Sequence, residues 1–377
     1  MEPIGYNKKK ASRLMQSKGV DVLVASSPAN VFYASGMPVR HVEKNPILYV
    51  LSNQYPTIVV VKKDGEEALI TWQLFNSTDK ATWIKEVNGI LSVDDAKSAL
   101  TTIINDSGIP KNGTIGIEST MPFYQYDELA KSFPEAKFRV SDDVFLDMRL
   151  EKSEEEINRI RESTRIAESA IKAMIDNVKE DISDNELIKV AKSMIIEAGG
   201  QGVDHVTLGI GGSDPEYPGT GVRMKKGDLA RFDIGAIYGG YCSDVSRHAS
   251  IGRPQSDLQE ASDFMIELQQ VCVDAVKPGV MPEVAFKAAE TAHKKSGKEL
   301  PFFVTFHSVG LLTEEFHFYD TMKGVSTVPF SKNNVLDIEI WTVSSGQGLV
   351  GIEDTYLVTA KGTERISSLE RKIYTIS

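Results

Sequence analysis

The stretch "ARFDIGAIYGGYCSDVSRHASIG", residues 230–252, is apolar and strand-like, yet it carries one aspartate before a Gly-Gly pair and another after it. Read as a hairpin closed around Tyr238 and Gly239, it sets residues whose numbers sum to 477 opposite one another, so that Asp233 faces Asp244. Directly opposed carboxylates destabilise a sheet. A pair of this kind either faces solvent or needs protons or a cation between its members.

Further candidates for the same face lie downstream. In "NNVLDIEIWTV" (333–343) the alternation puts Asp337 and Glu339 on one side of a strand and Ile338 and Ile340 on the other. Glu353 sits in "LVGIEDTYLVTA" and His307 in "FFVTFHSVGLL", both otherwise apolar. Singly, each has an ordinary structural role open to it: a hydrogen-bonded core histidine, an edge charge, a partner for a buried arginine. Together, four carboxylates and one imidazole on apolar strands are too costly to bury without cations. Two divalent ions would balance the four negative charges.

The rest of the chain bounds the setting. With 377 residues, 41% hydrophobic and 25% charged, it is long enough for two domains with cores of their own. Residues 8 to about 148 alternate short apolar runs, such as "VDVLVA" and "EALITW", with helical patterns such as "YDELAKSF", which predicts an α/β domain over 1–150. The texture changes at residue 151. Ser153 with Glu156 reads as a capping box, and Ile157, Ile160, Ala167, Ile171, Met174 and Val178 form one stripe of a long helix, with Thr164 filling it. Ser183 with Glu186 starts a second helix that Gly199 and Gly200 end. Strands, a helix pair near 257–276 and 282–296, and more strands follow, so the order of helix pair and strands occurs twice in an α+β domain over 151–377.

Several function classes are excluded by composition. A net charge of −11 argues against a nucleic-acid binder, which needs clustered Lys and Arg. No signal-peptide core or membrane-length apolar run is visible, and two cysteines, Cys242 and Cys272, suit packing in a reducing compartment, so the cytoplasm is expected. The glycines of "LGIGGSDPE" (208–216) lack the spacing of a phosphate loop and read as a pocket-lining loop. Arg247 reads as an ion-pair partner for a ligand carboxylate. His248 and His205 read as packing or surface histidines, with His205 close to the cleft.

These residues resemble a known family. The order Asp, ten residues, Asp, then His, Glu, Glu is similar to the metal signature of the pita-bread metallopeptidases, the group of methionine aminopeptidase, aminopeptidase P and Xaa-Pro dipeptidase (prolidase). "FDIGAIYGGYCSDVSR" resembles that family's "DxGAxYxGYxSDxTR", "HSVG" its "HxxG", and "IEDTYLVT" its "IEDTVLVT". "GVDVLVASSPANVFYASGM" and the junction "MRLEKSEEEI" resemble the creatinase and prolidase N-domain and its linker, so the likeness spans nearly the whole chain. It implies an α/β N-terminal domain and a pita-bread catalytic domain with pseudo-duplicated halves. Asp233 would hold the first metal, Asp244 and Glu353 would bridge, and His307 and Glu339 would complete the second site. The implied ions are Mn²⁺ or Co²⁺, with Fe²⁺ or Zn²⁺ admitted. The implied reaction is hydrolysis of the amide bond before proline by a metal-bridging hydroxide, with Glu339 as proton shuttle. A small peptide or amide substrate and a homodimer follow from the same resemblance.

The residues expected to handle substrate depart from the family pattern. Glu216 stands where a "PHY" histidine is usual, Phe303 where a histidine precedes the metal histidine by four, and Glu314 where another follows by seven, with His317 three residues beyond. Gly351 replaces an arginine, and Glu339-Ile340-Trp341 replaces "EPG". Glu216, Glu314, His317 and Trp341 are therefore the substrate-contact candidates, with Glu216 and His317 joining His307 and Glu339 as catalytic ones. The departures also admit a creatinase-like or ectoine-hydrolase-like C–N hydrolase, or a lyase, on the same fold.

Overall fold

The computed structural model describes residues 2–37, 54, 56–73, 81–344 and 347–377. It divides into two units, Met1–Leu150 and Glu151–Ser377.

The first unit is built on a six-stranded sheet. Its strands are β1 (Val22–Ala25), β2 (Ile58–Val61), β3 (Glu67–Trp72), β4 (Glu86–Ile90), β5 (Thr114–Ile117) and β6 (Lys137–Val140), in the order β4-β3-β2-β1-β5-β6. Pairing is mixed: β1 runs parallel to β5 and antiparallel to β2. The short runs "VLVA" and "IVVV" are buried at every position, as expected of strands covered on both faces. Among the described residues the unit also has helices α1 (Lys8–Ser17), α2 (Pro28–Ser35), α3 (Val93–Asp106), α4 (Phe123–Ser132) and α5 (Asp142–Leu150). Ile103, Ile104 and Leu100 of α3 pack with Val22, Val24, Val60 and Ile70 of the sheet in one core.

In the second unit α6 (Glu154–Asn177) and α7 (Asp184–Glu197) come first. Both capping boxes form: Ser153 and Glu156 bond each other's backbone, as do Ser183 and Glu186. The stripe Ile157, Ile160, Thr164, Ala167, Ile171 and Met174 is buried. Much of it packs on Leu208, Phe232, Ile234, Ala236 and Val245 of the sheet behind it. Each buried Ile or Met of the stripe contributes about 1.5–3 kcal/mol, which orders a helix whose own propensity is modest.

The sheet of this unit has eleven strands. The main path runs β13 (Gly324–Val325), β12 (Phe316–Asp320), β11 (Phe303–Ser308), β14 (Val335–Ser344), β15 (Gly348–Val358), β10 (Val245–Ile251), β8 (Leu229–Tyr238), β7 (Gly202–Ile210). Beside it, β9 (Tyr241–Cys242) pairs with β8, β16 (Thr363–Arg365) with β15, and β17 (Ile373–Ile376) with β10. Helices α8 (Ser256–Ala275) and α9 (Pro282–Ser296) are the second helix pair. Gln269 of α8 donates to the Ile338 carbonyl, tying that pair to β14.

One expectation is corrected here. The hairpin closes around Gly239 and Gly240, not Tyr238 and Gly239: Tyr238 pairs with Tyr241, and Asp233 stands opposite Ser246. Both glycines have positive φ, 57° and 84°, which a two-residue primed turn demands and a tyrosine would resist. The register therefore shifts by two. Asp233 and Asp244 are diagonal neighbours on one face rather than a directly opposed pair.

Candidate metal centre

The pairings align side chains in rows across the face of the sheet opposite α6 and α7. One row runs Thr207, Asp233, Ser246, Glu353, Glu339, Thr305, each opposite the next on the neighbouring strand. In the adjacent row His205 pairs with Gly235, Asp337 with both Thr355 and His307, and Asp244 lies two residues before Ser246. Because alternate residues of a strand share a face, both rows present their side chains to one space. The sheet thereby gathers residues more than a hundred positions apart.

Three overlapping groups in that space place ligand atoms within 4.8 Å of one another: His205, Asp233 and Asp244; Asp244, His307 and Glu353; and Asp233, Glu339 and Glu353. All five residues expected as ligands are thus brought together. Asp233, Asp244 and Glu353 each belong to two groups. His307 Nε2 lies 3.3 Å from Glu353 Oε1, and both side chains are almost fully buried.

The electrostatics show what the cluster requires. Burial, with neighbouring carboxylates, pushes Glu339, Glu353 and Asp337 up to about 8 each. Burial and Glu353 likewise drive Asp244 upward. Burial pushes Asp233 upward too, but Arg231 and His205 outweigh it and hold that carboxyl well below the usual range. So many carboxylates stay ionised together only with cations among them. The residues fit divalent ions on a second ground. Asp244 Oδ1 and His307 Nδ1 are buried without a partner in hydrogen-bonding geometry among the described residues.

Two members of the site did not stand out in the sequence. Arg231, nearly buried, puts Nη2 2.7 Å from Glu339 Oε1 and 3.0 Å from Asp233 Oδ2. His205, read as packing or surface, instead places Nε2 3.3 Å from both Asp233 Oδ1 and Asp244 Oδ1. Its only signal was alternation: His205 and Thr207 share a face of a strand whose register no local pattern reveals.

The departures from the family pattern also find places. Phe303 and Trp341 are opposite each other and stack, with ring centroids 4.3 Å apart. Gly351 is opposite Trp341, and a Cβ there would lie 2.2 Å from the Ile340 carbonyl and 2.6 Å from Trp341 Cβ. The three replacements are therefore one packing unit, in the row next to Asp233, Glu353 and Glu339. His317 sits opposite His307 with ring centroids 6.0 Å apart, and bonds Glu314 at 2.9 Å. That bond, with weaker help from other cations, holds the half-exposed Glu314 carboxyl down at about 2. Glu216 is exposed in the loop after β7, and among the described residues no polar contact links it to the cluster. Arg247 pairs with Asp354, the neighbour of Glu353, rather than with a ligand carboxylate. His248 is buried against the Leu349 carbonyl, and both cysteines are buried.

The model of metallopeptidase family M24 matches residues 158–360, which contain every residue of this cluster. The chain belongs to metallopeptidase family M24. The creatinase/prolidase N-terminal domain model matches residues 8–150. An Xaa-Pro dipeptidase from Pyrococcus horikoshii is 27% identical to this M24 chain over 99% of it and 100% of the relative. The crystal structure of the prolidase from that organism superposes with a TM-score of 0.79 at 25% identity, covering 97% of this chain and 99% of the other. A dipeptidase structure from the same organism reaches 0.84 at 22% identity over 98% and 99%, which shows the shared fold. As an M24 protein with this cluster, the chain is a metal-dependent hydrolase that uses divalent ions. Among the described residues no helix is long and apolar enough to cross a membrane.

Proposed function

We propose that this M24 hydrolase is a prolidase-like peptidase that cleaves the amide bond before proline in small Xaa-Pro substrates. The observation that carries the reading is the convergence of Asp233, His307, Glu339 and Glu353 from four strands, with Asp244 from the link just before β10, into overlapping groups of metal-ligand geometry. The names of the relatives, Xaa-Pro dipeptidase and prolidase, support the choice of bond. In this reading the five residues would hold two divalent ions, Mn²⁺ or Co²⁺, with Asp244 and Glu353 serving both. Bound divalent ions supply Lewis acidity and a water of lowered pKa.

The remaining work falls to the chain's own groups. Glu339 carries the proton from the attacking water to the leaving nitrogen. Arg231, bonded to both Glu339 and Asp233, fixes those two carboxylates against rotation. The stacked Phe303 and Trp341 give the pocket an aromatic wall beside Glu339, a surface suited to the apolar face of a pyrrolidine ring. His317 and Glu314, held together next to His307, supply polar contacts, with the Glu314 carboxylate suited to a substrate amine. The alternative, a C–N hydrolase of a small nitrogen compound, is favoured by one observation: Glu216 is exposed and unlinked to the cluster where the pattern has a histidine.

The test strips the protein of metal, restores Mn²⁺ or Co²⁺, and offers Xaa-Pro dipeptides, longer Xaa-Pro peptides, matched peptides without proline, creatine and ectoine. Metal-dependent cleavage of the Xaa-Pro dipeptides, abolished in Asp244→Ala and Glu339→Ala, is the expected result. Turnover of creatine or ectoine with silence on every proline peptide would replace the peptidase reading with the alternative.

A further inference from the structure

We infer that His205 is a sixth metal ligand, which joins Asp233 and Asp244 through Nε2 so that each of the two ions carries one imidazole. The inference rests on the reading of Asp233, Asp244, His307 and Glu353 as ligands.

Four features of this chain converge on it. The imidazole Nε2 faces two carboxylate oxygens, Asp233 Oδ1 and Asp244 Oδ1, at the same 3.3 Å. The other ring nitrogen, Nδ1, lies 3.1 Å from Asp204 Oδ2. A carboxylate that takes the far N–H of an imidazole fixes its tautomer and leaves the near nitrogen with a free lone pair, the arrangement by which proteins orient a ligating histidine. Asp204 is itself held, accepting from Thr313 Oγ1 and from Cys242 Sγ at 3.1 Å. Finally, the sheet makes room for the ring. A Cβ at Gly235, directly opposite, would stand 2.4 Å from His205 Nδ1 and 2.5 Å from its Cε1.

Arg231 holds two of the carboxylates from the side, with Nη2 3.0 Å from Asp233 Oδ2 and 2.7 Å from Glu339 Oε1. Two of the three groups of ligand atoms, His205 with Asp233 and Asp244, and His307 with Asp244 and Glu353, each hold one histidine and share Asp244, while Asp233 and Glu353 also meet Glu339 in the third. A second imidazole has a chemical consequence. Carboxylate-dominated sites suit Mn²⁺, whereas added imidazole moves preference toward Co²⁺ and Zn²⁺.

The test uses the full chain, stripped of metal and titrated with Co²⁺, with three readouts: ions bound per chain, the ratio of Co²⁺ to Mn²⁺ affinity, and the number of paramagnetically shifted, slowly exchanging imidazole N–H signals in the proton spectrum. The native chain should bind two Co²⁺ and show two such signals, one of them the His205 Nδ1–H shielded by Asp204. His205→Gln should keep one tight ion, weaken the other tenfold or more, lose one signal and lose part of the preference for Co²⁺. Asp204→Asn, which leaves the imidazole in place, should weaken Co²⁺ about 10- to 100-fold; it also serves if the glutamine variant does not fold. Two signals and unchanged Co²⁺ affinity in His205→Gln, or unchanged affinity in Asp204→Asn, would overturn the inference. Asp244→Asn separates the two levels: if it too keeps both ions, the reading of the cluster fails. If it loses them while His205→Gln does not, only the role of His205 fails.

Discussion

Arg247 is completely buried, and each of its five N–H donors has an acceptor. Nε donates to the Glu370 carbonyl at 3.1 Å, Nη1 to the Ser246 and Glu353 carbonyls at 2.8 Å each, and Nη2 to Asp354 Oδ1 at 2.6 Å and the Leu369 carbonyl at 2.9 Å. The side chain thus pins β15, at Glu353, to β10 and to the C-terminal segment. Arg247→Met keeps much of the volume and removes every donor. Deleting one partner of a buried ion pair costs about 3–5 kcal/mol, because the other charge is left uncompensated. Four carbonyls that each lose a donor at once place the loss toward the upper end, although water entering the space offsets part of it. At ~2–4 °C per kcal/mol for a unit of this size, Tm should fall by roughly 10 °C.

The assay is urea unfolding followed by tryptophan fluorescence in a Trp72→Phe, Trp83→Phe background, where Trp341 alone reports on the unit Glu151–Ser377. Arg247→Met with Asp354→Leu removes both charges and should recover about 2 kcal/mol relative to additivity. A loss below about 1 kcal/mol in the single variant, or a coupling near zero, would refute the claim that this pair clamps the ligand-bearing strands.

Two other measurements probe buried groups that are not themselves ligands. Burial pushes the Cys272 thiol up to about 12, so at pH 8 Cys272 should resist alkylation in the native protein and react once the chain is unfolded; fast native labelling would contradict its place in the core. Burial, with Arg231 and Arg247 nearby, lowers His248 to about 4. Its folded value thus lies below the unfolded ~6.5, so its contribution is full above that pH and lost as pH falls toward 4. That amounts to about 3 kcal/mol, which His248→Gln should not lose. Parallel acid unfolding curves for the two proteins would contradict it.

Local sequence determined a great deal of this protein. The apolar stripe of α6, the capping boxes at Ser153 and Ser183, and the Gly-Gly stop after α7 are written within a few residues of where they act, and the structure contains all of them. The placement of Asp233, Glu339, Glu353 and His307 on apolar strands was legible for the same reason, since alternation along one strand says which residues share a face. Alternation does not say which residue of another strand lies alongside. That depends on turn geometry and on pairings between distant segments, so the apolar pattern alone sets the hairpin register two residues out, and the positive φ of Gly239 and Gly240 decides it. The same limit hid the neighbours of the ligands. Arg231 reaches Glu339 and His205 reaches Asp244 only because β7, β8, β10, β15 and β14 lie side by side. Phe303, Trp341 and Gly351 are three separate oddities in the chain and become one only when cross-strand pairing stacks the first two and sets the Ile340 carbonyl and Trp341 Cβ where a Cβ at Gly351 would fall. Residue types and their period are local properties, whereas a binding site is a set of cross-strand distances, and those exist only once the sheet has formed.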